Sequence, residues 1–598
     1  MALNKILSSI LDDFNNKVGF MNLSSDKTYE YLVNYLIVSK IHPEAFQDVG
    51  ELKNIDVDSG SMFGIDSVAF IVNENLVLNK DDISIYAKSK NLDVKIIFIQ
   101  TKTEEDYNTG KILKTTNAVK SFFGDRKLLE INDSINNAYE IYEELYKYDN
   151  VKYFNSHSPE CFVYYVTAAK KCTEDLIFNL IEAEEKNIMS IAEELKAVHV
   201  EILGSDYVID SYNEVENRIE VNINFKNNLS LDRIGKVEQS YLGYLAGDEY
   251  LKIITDNHGN LRRRLFYENV RDYQGINNPV NKEIKETITN PDSRDKFILL
   301  NNGITIVVKH FKSLGSNSYE MRDFQIVNGC QTSNEIYNSK DFASEILVPV
   351  KIIHTTDPDL ISKIVKATNR QTPVPDEAFV ALDNYNKRLQ EIFESYSKDM
   401  PIELYYERRS GELKFQEREL KNFQIVTLHS LIRAVISVYF QDAYIVYNNN
   451  PVNILRNRKD KLFREDHKHE IYYVSNYLLA KYTSLINHKK INSDDYALRF
   501  YVIMVVRSLL ENEIKIYQLN SLNIEKEAKR IIKLLKSDDL YIENVYKMAR
   551  DLVLTAMDDF SRHNTFSSQK DVLRSPRFNE LVNSMTKEYM LRRSQQTS

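Results

Sequence analysis

Two short segments carry residues whose types and spacing suit phosphoryl chemistry. Gly64, Ile65 and Asp66 precede the apolar run SVAFIVN at 67–73, and VKIIFIQTK at 94–102 ends in Gln100 and Lys102. Residues two apart on a β-strand project to one face, so Gln100 and Lys102 share a side while Ile99 and Thr101 point elsewhere. If the two strands pair as a hairpin, Asp66 reaches the same place. A carboxylate, a second oxygen ligand and an ammonium are what hydrolysis of a phosphodiester requires. The acid holds Mg²⁺ through hard oxygens. The cation activates water, and the lysine orients that water or neutralises charge developing on the phosphoryl oxygens. Q-x-K by itself is a weak signal, because many strands of α/β domains end in polar residues. The 34 residues from Asp66 to Gln100 also exceed a simple hairpin and imply inserted structure around 74–93.

A second set of motifs is denser in amides. It runs ENVRDYQG at 268–275, VNKEIKET at 280–287, FILLNNGITIVV at 297–308, FQIVNGCQTSNEIY at 324–337, KIVKATNRQTPV at 363–374 and YYERRSGE at 405–412. These are strand-to-turn junctions loaded with Asn, Gln and Thr, and loops at sheet ends are where ligand sites commonly form. NGCQTSNEIY also reads as a helix start, with free N–H groups beside amide side chains, which suits phosphate or base edges. Arg271, Asn302, Asn328, Gln331, Asn369 and Gln371 are the candidate ligand or nucleic-acid contacts. For Asn302 and Gly303, turn chemistry serving the fold alone is an equally good account. For Arg408 and Arg409, a salt-bridge role is as good as a phosphate contact.

These residues need elements to position them, and the chain divides into three zones. In residues 1–225 helix and strand alternate: a helix over Thr28–Lys40, strands at 67–73 and 94–102, a helix near 128–148, then strands at 161–168 and 198–204 around a helix near 173–195. That order favours an α/β domain. Residues 226–420 hold short β-rich runs such as GITIVVKHF at 303–311 and LVPVKIIHT at 347–355, each bounded by Asn/Gly or Asp/Pro turn residues. Residues 421–598 read as mostly helical, with Leu522, Ile524, Ala528, Ile531, Ile532 and Leu535 forming one apolar stripe.

Composition narrows the function classes. Lys and Arg total 77 against 87 Asp and Glu, a net charge of −10, which excludes a uniformly basic nucleic-acid coat but not a local basic track. Arg262, Arg263 and Arg264 form one basic cluster, and Arg456, Arg458, Lys459, Lys461 and Arg464 form another. The densest apolar run, Phe500–Val506, is too short to span a bilayer. Ser8, Ser9, Asp12 and Asp13 interrupt the apolar core a signal peptide needs. Cys161, Cys172 and Cys330 form no CxxC pair, so a reducing cytoplasm is expected. Asp466, His467 and His469 lack a third matched metal ligand. Tyr 38 with Trp 0 reads as a composition bias. No GxxxxGK[ST], GxSxG or HExxH motif appears, which argues against an ATP motor or a serine hydrolase.

Gly64-Ile65-Asp66 with Gln100-Thr101-Lys102 resembles the PD-(D/E)xK restriction-endonuclease-like superfamily in its Mrr-like form, where the motif reads G-x-D then Q-x-K. The resemblance implies an N-terminal restriction-endonuclease-like α/β domain and a Mg²⁺- or Mn²⁺-dependent endonuclease. It brings Glu30, in TYEYLVNYLI, into the site as the acid of the first helix. On it Asp66 is the principal metal ligand, Glu30 and Gln100 assist, the Thr101 carbonyl joins them, and Lys102 positions water. The amide-rich motifs, over about 235–440, resemble the abortive-infection phage-resistance family known as AIPR, whose members commonly carry such a nuclease region. IVNGCQTSNEIY is also distantly similar to the turn of ParB-like and DGQHR-type domains, with Gln331 and Thr332 in place of their His and Arg. The expected fold is therefore multidomain α/β plus α: nuclease-type domain, mixed α/β AIPR domain, helical C-terminal domain. The expected protein is a cytoplasmic antiphage protein that cuts nucleic acid, DNA rather than RNA, in response to a phage-derived trigger, with a homodimer as a reasonable assembly. The rival is a non-catalytic protein, its nuclease core degenerate, that binds nucleic acid or a phage product.

Overall fold

The apolar runs at 67–72 and 94–102 become the middle of a five-stranded sheet. The computed structural model describes residues 4–18, 23–41, 45–46, 49–57, 64–73, 75–87, 90, 92–124, 133–155, 158–216, 219–266, 279–369, 376–407, 420–449, 451–514, 517–537, 539–563 and 569–597. Strands β1 (Ser67–Val72), β2 (Asn75–Val77), β3 (Val94–Lys102), β4 (Glu160–Thr167) and β5 (Ala197–Leu203) lie in the order β2-β1-β3-β4-β5. β1 runs antiparallel to β2 and β3, while β3, β4 and β5 are parallel. β1 and β3 are buried along their lengths except at Lys102, because helices cover both faces. Val68, Phe70, Ile96 and Phe98 pack against the helices Thr109–Phe123, Asp133–Leu145 and Asp175–Ile191. Ala69, Ile71, Ile97 and Ile99 pack against Lys5–Val18, Ser25–Ile41 and Ser205–Glu216. Each such aliphatic side chain contributes about 1.5–3 kcal/mol on full burial. The expected insertion is real: β2 and the helix Lys80–Tyr86 fill it.

The second sheet has six strands. β6 (Glu220–Asn224), β7 (Asn227–Leu231), β8 (Gln239–Ala246), β9 (Ile304–Gly315), β10 (Ser318–Asn328) and β11 (Leu347–His354) take the order β6-β10-β9-β11-β8-β7. Only β9 and β11 pair in parallel. The sheet thus draws on residues either side of position 225. Ile304, Ile306, Ile326, Val350 and Ile352 pack with Tyr250 and Ile253 of the helix Gly247–Ile254 and with Cys330 and Ile336 of the helix Cys330–Asn338.

The C-terminal region is helical, apart from the two-residue strands β12 (Tyr405–Tyr406) and β13 (Ile425–Val426), and its core also takes in Tyr385, Leu389 and Phe393 of the helix Asp376–Ser397. The run Phe500–Val506 lies in the helix Arg499–Glu511, which is buried on every side except at Glu511, the signature of a central helix. Leu428–Phe440, Glu470–Asn487, Asp539–His563 and Pro576–Thr597 also contribute to this core. Tyr439, Tyr472, Tyr477 and Tyr501 are fully buried there, so the tyrosines are packing residues as well as a composition bias. Among the described residues no helix is long and apolar enough to cross a membrane. The first sheet's region is tied to the C-terminal helices by the ion pair of Glu51 with Arg433, and to the central region by Lys40 with Asp256 at 3.1 Å.

Candidate functional site

The pairing of β1 with β3 sets Ser67 opposite Ile99, which brings Asp66 beside Gln100 where β1 begins and β3 ends. The Asp66 N–H donates to the Ile99 carbonyl at 2.9 Å, continuing the ladder. The Asp66 carboxylate then collects three donors. Gln100 Nε2 donates to Oδ1 at 2.7 Å, and the Thr101 N–H and hydroxyl each donate to Oδ2 at 2.7 Å. Gln100 Nε2 also lies 3.2 Å from the Thr101 carbonyl oxygen. Asp66, Gln100 and Thr101 are all buried. Lys102 emerges at the strand end, half-buried, with no ion pair among the described residues.

Glu30 arrives from the helix Ser25–Ile41, which packs on the sheet face bearing Ile97 and Ile99. It is buried, and its pKa is pushed up to about 8. Burial is the main cause, the negative charges of Asp66 and Asp56 add to it, and Lys27 opposes them. The Lys27 ammonium bridges Glu30 Oε1 and Asp56 Oδ2, each at 2.7 Å. Burial pulls the Lys27 pKa down, but the two carboxylates outweigh it and hold the ammonium protonated. Tyr31 donates its hydroxyl to Asp56 Oδ2 at 3.0 Å.

Asp56, Lys27 and Tyr31 are the members that sequence reasoning missed. Lys27, Glu30 and Tyr31 sit at i, i+3, i+4 on one helix, a spacing that marks a shared face. Asp56 carries no such signal; it enters through an isolated bridge to Ser67.

Three or more His, Cys, Asp or Glu side chains do not group as a metal site anywhere among the described residues. The donor set here is different: the Asp66 carboxylate, the Gln100 amide, the Thr101 carbonyl and, within electrostatic reach, Glu30. These are hard oxygen donors of the kind Mg²⁺ and Mn²⁺ take, once the Gln100 amide turns its oxygen inward. Glu30, whose proton affinity burial and the neighbouring Asp66 charge raise, would also be eased by a divalent cation. The residues present fit the group.

The amide-rich motifs converge at a second place, a cavity of about 430 Å³ at one end of the six-stranded sheet. NNG at 301–303, Asn328, Gln331 and Thr332 line it with Thr368. Gly303 and Gly329 adopt left-handed φ of +81° and +104°, and a Cβ on Gly329 would fall 2.7 Å from Ile304 Cγ1. These glycines are backbone requirements of the turns. Asn301 braces both loops, accepting the Gly303 N–H at 3.0 Å and donating to Thr332 Oγ1 at 3.1 Å.

The basic clusters look different in three dimensions. Arg262 turns inward: its Nε lies 3.3 Å from Glu214 and its Nη1 donates to the carbonyls of Lys252 and Ile253, so the side chain braces the first two regions and is not a surface phosphate contact. Arg458 pairs with Asp442 at 2.9 Å over the Phe440 ring, and Arg464 pairs with Asp466 at 3.0 Å. Arg263 and Arg264 have backbone in a short 3-10 helix, Arg263–Phe266, and Asn369 ends the helix Pro358–Asn369. The side chains of Arg263, Arg264, Asn369, Arg456 and Lys459 lie outside the described residues, as do Arg271, Gln371, Arg408 and Arg409 altogether.

Residues 266–546 match the family model described as AIPR protein, a stretch that begins after the five-stranded sheet. No curated protein and no solved structure matches the chain.

Proposed function

We propose, from the match of residues 266–546 to the AIPR family model, that the protein serves antiphage defence by abortive infection and that its N-terminal domain is a Mg²⁺-dependent nuclease. The observation that carries the nuclease part is the convergence of Asp66, Gln100 and Thr101 at one strand end, with Lys102 two residues further on the Gln100 side and Glu30, from the helix Ser25–Ile41, within electrostatic reach of Asp66. A mixed sheet with a β1–β3 antiparallel pair followed by parallel β4, covered by helices on both faces, supports the restriction-endonuclease-like reading.

Asp66, with Gln100, Thr101 and Glu30, would hold the cation. When bound, it supplies Lewis-acid polarisation of a phosphoryl oxygen and a more acidic water. The chain does the rest. Asp66 is fixed in one orientation by its three donors, which pre-organises the site. Lys102 presents an ammonium to charge developing on the phosphate oxygens. The central domain would sense or bind nucleic acid or a phage product, and DNA is the favoured substrate.

The rival reading is a binding protein with a degenerate nuclease core. One arrangement favours it: both Asp66 oxygens already accept bonds from the chain, and Lys27 already pairs with Glu30. Purified protein with Mg²⁺ or Mn²⁺, offered plasmid, linear duplex, single-stranded DNA and RNA, separates the two. Cleavage that Lys102→Ala removes supports the enzyme; nucleic-acid binding with no cleavage of any substrate supports the rival.

A further inference from the structure

We infer that the cavity in the central region is a nucleobase site, taking one uncharged purine or pyrimidine ring either as a free nucleoside or as a base turned out of a strand. The inference rests on the reading of the central domain as the nucleic-acid-binding part, and names what it recognises.

Size, charge and hydrogen-bonding pattern agree. At about 430 Å³ the cavity lies in the range that ligand sites occupy, roughly 300–1,000 Å³. Among the described residues Glu283 is the only charged side chain lining it. A ligand led by phosphate would meet a lone carboxylate there, whereas a neutral heterocycle meets no opposing charge. The helix Pro279–Thr289 lines it with Val280 and Ile284 beside Glu283 and Thr287, and with Phe297 and Leu300 these apolar side chains offer surface that suits the face of a ring.

Another part of the lining carries amides and a hydroxyl, and three of these side chains, Asn302, Asn328 and Thr332, keep hydrogen-bonding capacity not committed to any described residue. Asn302 makes no hydrogen bond to any described residue and offers both a donor and an acceptor. Asn328 gives its Nδ2 to the Thr368 carbonyl at 2.9 Å, which pins the amide and leaves Oδ1 as an acceptor. Thr332 is 7% exposed; its oxygen accepts from Asn301, and its own proton is committed to no described residue. Donors and acceptors side by side, in a cavity that also carries apolar surface, are what reads a base edge while its face stacks. This lining is also rigid: Asn301 locks the 301–303 and 329–332 loops together, and left-handed Gly303 and Gly329 fix their turns. Such an arrangement does not need to reorganise when a ring enters.

The test uses the full chain in chelator, so that no cleavage intervenes. Binding is measured by ligand-detected NMR for adenosine, guanosine, cytidine, uridine and thymidine, and by fluorescence for a duplex bearing one unpaired 2-aminopurine against its fully paired counterpart. At least one nucleoside, or the unpaired duplex, is expected to bind. Asn302→Ala, at a side chain with no hydrogen bond to any described residue, and Thr332→Val, which keeps the shape, should each weaken it by about tenfold, the order of one net hydrogen bond. Nucleoside binding assigns a free ligand; binding of the unpaired duplex alone assigns a base presented by a strand. No binding in either arm, binding indifferent to both variants, or binding only of phosphate-bearing nucleotides with inorganic phosphate competing would each overturn the inference. Because the readout involves neither metal nor turnover, its failure leaves the nuclease reading standing, and the reverse also holds.

Discussion

Asp66 and Gln100 face each other across neighbouring strands, joined by a 2.7 Å hydrogen bond from Nε2 to Oδ1, while Thr101 gives Oδ2 both its N–H and its hydroxyl. The carboxylate is thus a structural acceptor as well as a candidate ligand. Asp66→Ala would strand three buried donors, each worth about 1–3 kcal/mol when unmet. A net loss of roughly 2–4 kcal/mol in urea unfolding is expected after water enters the gap. A variant as stable as the parent would show that these donors do not depend on Asp66.

Lys102 is the cleaner probe of chemistry. It stands half-exposed at the end of β3 and makes no ion pair among the described residues. Lys102→Ala should leave stability within about 0.5 kcal/mol, as for a surface change away from any network. On the nuclease reading it should abolish Mg²⁺-dependent cleavage. Thermal unfolding and a plasmid-nicking assay on the same preparation check both halves; undiminished nicking would remove Lys102 from the mechanism.

Gln100→Glu tests the metal without needing turnover. In chelator the new carboxylate would replace a donor to Asp66 with a like charge and should lower the melting temperature. Mg²⁺ should then stabilise the variant more than the parent, because ligand binding to the native state raises stability by mass action. Equal Mg²⁺ responses would mean that no cation binds beside position 100.

Much of this site was legible before any coordinates, and the reasons are specific. The runs at 67–72 and 94–102 are apolar on both faces, so they had to be buried strands, and period two put Gln100 and Lys102 on one side. The same rule sent Thr101 the other way, yet its hydroxyl reaches Asp66 because the carboxylate sits past the start of β1 and straddles the strand end. Asp56 could not be seen, since a residue whose role comes from one isolated bridge leaves no spacing to read. Arg262 was misleading for a related reason: a run of three arginines says nothing about which of them a neighbouring helix buries against Glu214. The motifs identified the 301–303 and 328–332 loops and, at 280–287, the helix that brings Val280 and Ile284 to the cavity, although their spacing could not show that these two side chains line it.

Within the C-terminal core, Arg507 Nε and Nη2 both donate to Glu527 Oε1, at 2.9 and 2.7 Å, with both side chains almost wholly buried. Taking one partner away leaves an uncompensated charge, whereas taking both removes the desolvation cost with the attraction. Arg507→Met should therefore cost about 3–5 kcal/mol, and Arg507→Met with Glu527→Leu should recover most of it. Denaturant unfolding of both singles and the double variant completes the cycle. A double variant as unstable as the sum of the singles would show that the two residues act independently.

His467 gives the stability a pH dependence whose sign is fixed. Its ring is buried, with Nδ1 3.1 Å from the Tyr472 hydroxyl, which accepts the Phe463 N–H at 2.8 Å. Burial pulls the His467 pKa down to about 4, with Asp466 opposing the shift and Arg464 and His469 adding to it. In the unfolded chain the ring titrates near its ordinary value of about 6.5. Between those values the unfolded state binds a proton that the folded state does not, so stability falls as pH drops from about 6.5 to 4 and this slope ends below 4. The stabilisation is complete above pH 6.5, and its loss across the window is of the order of 1–3 kcal/mol. His467→Gln keeps a polar group for Tyr472 but cannot titrate. Urea unfolding of both chains at pH 7 and pH 5 should show the parent losing more stability than the variant on acidification. Equal losses would place the acid sensitivity in other groups and leave His467 as packing.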